Sequence, residues 1–248
     1  MLTGPLHAKG SQGSVLDLVS SPTFETTMNT LLAGAGAGIA RPVISQPHGR
    51  LCPAEWEEME AEEYLSIHPL QLVGGLSADW WIPYRTGHNK RPTWDLICNI
   101  MVAGTPGLLL CEAKAHVAEL RDLNAKKPPL DSAGSHANDL SIRLRLCEAS
   151  KGLSEIAGGR FELSTDHHYQ MSNRLAYLWK IASQGVPTVL MYLGFLGCPD
   201  WPADPISDAH HWRQLVEDHL AGIGPRRFID RTFASPTGGS LHVAVCSL

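Results

Sequence analysis

The sequence predicts a mixed α/β fold, and three observations carry that prediction. Short apolar runs bounded by turn residues alternate with longer stretches of helical periodicity. Two of those runs, Trp94–Val102 and Leu108–Ala115, flank an Ala-Gly-Thr-Pro-Gly turn and read as a hairpin. A third, Pro187–Leu196, follows a helical stretch, as in a strand-helix-strand unit.

Residues 1–50 are rich in Gly, Ser, Thr and Pro and are expected to be loosely structured, apart from a short helix at Phe24–Leu32. The run Gly34-Ala-Gly-Ala-Gly38 reads as a connector. Ile39 and Arg41 stand where a third glycine of a phosphate-binding turn would fall. Residues 51–248 are expected to form one domain. Pro53–Ile67 reads as its first helix, with Pro53 suited to the start and acidic residues crowding the first turns. Helical periodicity puts Glu60 and Glu63 on the same face as Trp56, Met59, Tyr64 and Ile67. Two carboxylates on a core-directed stripe require a partner or a cation. Leu70–Leu76 and Asp79–Tyr84 read as short strands, and Arg85–Arg91 as a basic loop.

Residues 116–165 look like an insertion holding a helix over about Asn138–Ile156. His168–Ser183 reads as a further helix, with Met171, Leu175, Leu178 and Ala182 on one stripe. It is followed by a helix near Ala209–Leu220 and by strands at Arg227–Phe233 and Ser240–Cys246. The order is helix, strand, strand, strand, helix, strand, with additions.

The charges in the hairpin carry the chemistry. Strand alternation puts Leu108, Leu110, Glu112 and Lys114 on one side, and Leu109, Cys111 and Ala113 on the other. The hairpin brings Asp95, near the start of the first strand, beside the end of the second. Asp95, Glu112 and Lys114 should therefore converge. Hard divalent cations such as Mg²⁺ take oxygen ligands and keep several waters. Two carboxylates with a lysine supply a cation site and a group to position or help activate a water, which suits phosphodiester hydrolysis. The plainer reading of the same three residues is a structural ion pair at a sheet edge.

Asp95, sixteen intervening residues and Glu112-Ala113-Lys114 resemble the PD-(D/E)XK nuclease superfamily, which includes restriction endonucleases. The likeness covers roughly residues 53–115 and 167–196. It departs from the family pattern in having Trp94-Asp95 in place of Pro-Asp. The resemblance implies a restriction-endonuclease-like core and metal-dependent cleavage of DNA, rather than RNA, with Mg²⁺ that Mn²⁺ replaces. It implies that Asp95, Glu112 and the Ala113 carbonyl hold the metal, that Glu60 or Glu63 completes the set, and that Lys114 serves the water. Gln170, with Arg174 one turn later, looks similar to a glutamine that recurs in the family's next helix. In a nuclease, Arg85, Lys90 and Arg91 would contact phosphate, and a homodimer would suit double-strand cleavage.

Composition bounds these readings. The 248 residues include 44% hydrophobic and 18% charged, as in ordinary globular proteins. The net charge of −5 gives nucleic-acid binding no bulk support, so any basic surface must be local. The six cysteines are scattered without zinc spacing, and Cys98 and Cys111, inside apolar runs, read as reduced, buried thiols. With no signal peptide and no apolar run of membrane-spanning length, a soluble, cytoplasmic setting is expected. A nuclease-like subunit that binds DNA or supports an assembly without cutting is the alternative expectation. Trp56, Trp80, Trp81 and Trp94 are expected in the core, with Trp80 or Trp81 as candidates for base stacking.

Overall fold

A computed structural model describes residues 9–49, 57–68, 70, 80–83, 91–121 and 125–248. A seven-stranded mixed sheet lies between two layers of helices. Its order is β1 (Ala37–Ile39), β5 (Leu96–Val102), β6 (Thr105–Lys114), β7 (Thr188–Gly194), β9 (Ser240–Ser247) and β8 (Thr232–Ala234), with β2 (Ser45–Gln46) also on β5. Strands β6, β7 and β9 run parallel, while β5, β1 and β8 run antiparallel to their neighbours. A separate ribbon pairs β3 (Met59–Glu60) with β4 (Thr93–Trp94).

Alternation along β6 divides the molecule into two cores. Leu108 and Leu110 point into one, packed beneath α5 (Ala133–Ala157), α6 (Tyr169–Ala182) and α7 (Ala209–Ala221). Leu109, Cys111 and Ala113 point into the other, beneath α1 (Gly10–Ser20) and α2 (Phe24–Leu32). Each fully buried leucine contributes roughly 1.5–3 kcal/mol, so both faces of this strand stabilise the sheet.

The β5–β6 turn is Ala103-Gly104, one residue pair earlier than a turn centred on Thr105. Both residues have positive φ, 48° and 84°, and Val102 pairs with Thr105. That geometry matches the twist of a two-residue hairpin. Strand β6 therefore starts at Thr105, three residues before the expected Leu108. Gly107 allows the close approach of the Pro187 carbonyl, which accepts from the Leu108 N–H at 2.9 Å; a Cβ there would stand 2.5 Å from that oxygen.

Several expectations are corrected. Residues 9–49 are not loose: α1 and α2 bury Val15, Leu18, Val19, Phe24, Met28 and Leu32 against the sheet. The Gly34–Gly38 connector is a 3-10 turn (Ala33–Ala35) leading into edge strand β1, and the Asn29 side chain accepts from the Ile39 N–H at 2.7 Å. Of the described residues in the expected Pro53–Ile67 helix, only Ala61–Ile67 are helical (α3), because Met59 and Glu60 are extended and pair with β4. Residues 51–56 lie outside the described part. Of the expected strands at 70–76 and 79–84, the described residues 70 and 80–83 lie in none. The expected Arg227–Phe233 strand is a 3-10 turn (Arg226–Phe228) followed by β8.

The insertion is mainly α5, a 25-residue helix preceded by the short α4 (Ala118–Arg121). Ser132 caps α5, accepting from the Ser135 N–H at 3.2 Å, and Gly158 ends it in a left-handed conformation. No helix among the described residues is long and apolar enough to cross a membrane.

Candidate active site

The site forms where β6 loses its partner. Strand β5 pairs with β6 only from Leu96, opposite Cys111, while Thr93 and Trp94 turn away to pair with β3. Asp95 stands at this fork. The β5 edge of β6 beyond Cys111 carries no partner strand among the described residues. There the Ala113 N–H donates to Asp95 Oδ2 at 2.6 Å, so a side chain does the work of the missing strand. In an extended strand the N–H and C=O of one residue point to the same edge, so the Ala113 carbonyl also faces the Asp95 side.

Glu112 and Lys114, two residues apart, share the face that carries Leu108 and Leu110, as alternation requires. Both are buried, 2% and 5% exposed. Glu112 Oε1 accepts from Lys114 Nζ. Its other oxygen accepts from Arg174 Nε and lies 2.6 Å from Arg174 Nη2. Arg174 comes from α6 and is itself fixed: Nη2 donates to the Thr93 carbonyl at 2.8 Å, Nη1 to Asn173 Oδ1 at 3.2 Å, and the guanidinium lies 4.4 Å from the Trp94 ring centre. One arginine thus joins α6, β4 and β6.

The electrostatics follow from burial. Desolvation, then the charge of Glu112, pushes the Asp95 carboxyl up to about 8, against the pull of Lys114. Burial also works against ionised Glu112, but Arg174 and Lys114 outweigh it and hold Glu112 below the usual range. Burial alone would lower Lys114; Glu112 and Asp95 reverse this and keep it protonated. Of two close carboxylates, one keeps its charge and the other takes up a proton.

The remaining expected residues are placed as follows. Glu60 accepts from Arg91 Nη1 at 3.2 Å, and Glu63 is exposed. Neither side chain bonds to Asp95 or Glu112. The acid whose charge reaches Asp95 is Glu58, which accepts from Thr93 Oγ1 at 2.9 Å. A helix over 53–67 turns Glu58 away from the site; the extended β3 brings it in. Arg91 is not a surface phosphate contact: it is 4% exposed and lies between Glu60 and Glu62. Arg85 and Lys90 lie outside the described residues. Gln170 is half-buried one turn before Arg174, and no hydrogen bond joins it to Asp95, Glu112 or Lys114. Trp80, Trp81 and Trp94 are buried around Tyr177.

Two features carried no sequence signal. Tyr192, the β7 partner of Glu112, has a buried hydroxyl without a hydrogen-bond partner. Glu62 accepts from the Tyr177 hydroxyl at 2.8 Å, and burial pushes its carboxyl up to about 7 despite that bond and Arg91.

Comparison of the chain with family models, with curated proteins and with solved structures finds no match.

Among the described residues, no three His, Cys, Asp or Glu side chains are grouped to hold a metal ion. The donor set at the fork is smaller, two carboxylates and a backbone carbonyl edge. Its chemistry suits a hard cation that retains water. A cation there would offset both the burial and the Glu112 charge that raise Asp95.

Proposed function

We propose that the chain is a metal-dependent nuclease acting on DNA phosphodiesters, with a restriction-endonuclease-like core. The observation that supports this best is the meeting of Asp95, Glu112 and Lys114 at the open end of β6. The path from β5 through antiparallel β6 and helix α6 to parallel β7 agrees with that core.

In this reading Asp95, Glu112 and the Ala113 carbonyl hold Mg²⁺ or Mn²⁺. When bound there, such an ion would supply the Lewis-acid chemistry that phosphodiester hydrolysis needs. Asp95 gives up its carboxyl proton on binding, so the site takes up metal more tightly as pH rises toward 8. Lys114 is held protonated, so it orients the water and offsets phosphate charge rather than accepting a proton in the metal-free state. Arg174 anchors Glu112. Glu58, on the ribbon beside Asp95, replaces Glu60 and Glu63 as the acid nearest the set. Double-strand cleavage would call for a homodimer, and the soluble, cytoplasmic setting remains part of this proposal.

One observation favours the second reading, a nuclease-like subunit that binds DNA without cutting. Glu112 is already compensated by both Lys114 and Arg174. Two cations bonded to one buried carboxylate satisfy it without a metal, as in a purely structural cluster.

The deciding experiment is cleavage of single- and double-stranded DNA with Mg²⁺ or Mn²⁺, comparing wild type with Lys114→Ala, alongside metal titration by calorimetry. Metal-dependent cleavage that falls at least a thousandfold in the variant supports the nuclease. DNA retention with neither cleavage nor metal binding supports the second reading.

A further inference from the structure

A cavity of about 400 Å³ opens beside the site, between the loop that precedes α5 and the start of α6. Helix α6 returns from the C-terminal end of β6 toward the start of β7, so its first residues stand over the end of the sheet where Asp95 and Glu112 lie. In sheets of this kind ligands bind outside the carboxyl ends of the strands. Tyr169 lines the cavity and stands one turn before Asn173 on α6. Asn173 accepts from Arg174, which holds Glu112. The cavity and the site are therefore served by the same helix.

The walls are set before any ligand arrives. The Leu130 N–H donates to Ser135 Oγ at 2.8 Å, the Ser132 N–H to the Leu130 carbonyl at 2.8 Å, and the Lys126 N–H to the Thr165 carbonyl at 2.7 Å. Lys126 is committed to Asp139 at 2.8 Å. Lys127 is exposed and forms no ion pair among the described residues. Leu130 is 56% exposed at the mouth, an unusual placement for a large apolar side chain on a loop so firmly held. Further in are the Asn138 side chain and the Asp139 carboxylate. An apolar wall and an aromatic ring, with one uncommitted cation at the rim, suit a nucleotide. The wall and ring take the flat base, and the lysine meets its phosphate.

We infer that this cavity takes up one nucleotide of the substrate strand, its base against Leu130 and Tyr169 and its phosphate on Lys127. The inference rests on the nuclease reading and adds a site of base selection to it. An unstacked base suits the cavity, so single-stranded or opened DNA is the form it accepts.

The test uses the full chain in EDTA, where binding is read without cleavage. The probes are deoxyadenosine monophosphate by calorimetry and a single-stranded oligonucleotide carrying 2-aminopurine by fluorescence. Lys127→Ala and Leu130→Asp change exposed side chains, and circular dichroism melting confirms that they fold. Each is expected to weaken both probes about tenfold. Lys127→Arg should stay within about threefold of wild type, and Lys127→Ala should lower the salt slope of oligonucleotide binding by about one. Unchanged binding in both weakening variants overturns the cavity assignment, as does absence of mononucleotide binding to wild type. If Mg²⁺-dependent cleavage is present while those variants bind normally, the cavity assignment alone fails. If cleavage is absent while the variants lose the probes, the nuclease reading alone fails.

Discussion

The two faces of β6 use one backbone for opposite purposes. Toward α1 and α2, Leu109, Cys111 and Ala113 continue an apolar core to the end of the strand. Toward α6, Leu108 and Leu110 begin the same way, but the next two positions are Glu112 and Lys114, buried and charged. Burying such charges carries a desolvation penalty that partners must offset, and here Arg174 and Lys114 both bond a single carboxylate, that of Glu112. A stable sheet requires only the first arrangement. The second has a stability penalty to overcome that the sheet itself does not require.

The sharpest way to break this contrast is Arg174→Met. It leaves Glu112 with only Lys114, and removing one partner of a buried pair costs about 3–5 kcal/mol. Urea denaturation should show that loss, and adding Glu112→Leu with Lys114→Met, so that no buried charge is left unpaired, should return much of it. A triple variant no more stable than Arg174→Met would refute the view that the cost lies in the orphaned charge. On the other face Leu109→Ala should cost about 2–5 kcal/mol through an ordinary cavity, while the cleavage rate per folded molecule stays near wild type. A thousandfold drop in that rate would show that the two faces are not separable.

A pH series sharpens the comparison further. An unfolded aspartate titrates near 3.9, and Asp95 in the fold is pushed up to about 8. The folded chain binds that proton more tightly. The contribution of Asp95 is therefore complete below about pH 4 and is lost as pH rises through 8. Metal-free wild type should lose stability relative to Asp95→Asn across that window, read from urea midpoints; parallel curves would sink the assignment. The smallest effect belongs to the apolar side. Asn29→Ala removes the bond to the Ile39 N–H and should lower stability by about 1 kcal/mol without altering DNA cleavage.

The legibility of the chain divided along physical lines. The division of β6 into two faces was readable because period-two alternation survives in any sheet, and helices α2, α6 and α7 were readable as short helical stretches, α6 through its stripe of Met171, Leu175, Leu178 and Ala182. Cys98 and Cys111 were expected as buried thiols and are so. Helix α1 was hidden by its Gly and Ser content, since Val15, Leu16, Leu18 and Val19 gain their meaning only from the sheet they cover. Glu58 was missed because a run of glutamates has helical propensity, whereas pairing with Thr93–Trp94 holds Met59 and Glu60 extended. Arg174 stood in view as a neighbour of Gln170. What the sequence lacked was the distance across the sheet that lets its guanidinium reach Glu112.

The fork at Asp95 has a mechanical consequence. Its backbone joins two strands that belong to different sheets, β4 in the ribbon and β5 in the main sheet, while its carboxylate is tethered to the Ala113 N–H. The ribbon is thus a short lever with the aspartate as its pivot. Tilting the ribbon would pull on that tether and so on the Glu112–Lys114 end of β6, and the Tyr64 hydroxyl, which donates to the Ile44 carbonyl and to Asn99 of β5, would carry the same movement into the main sheet.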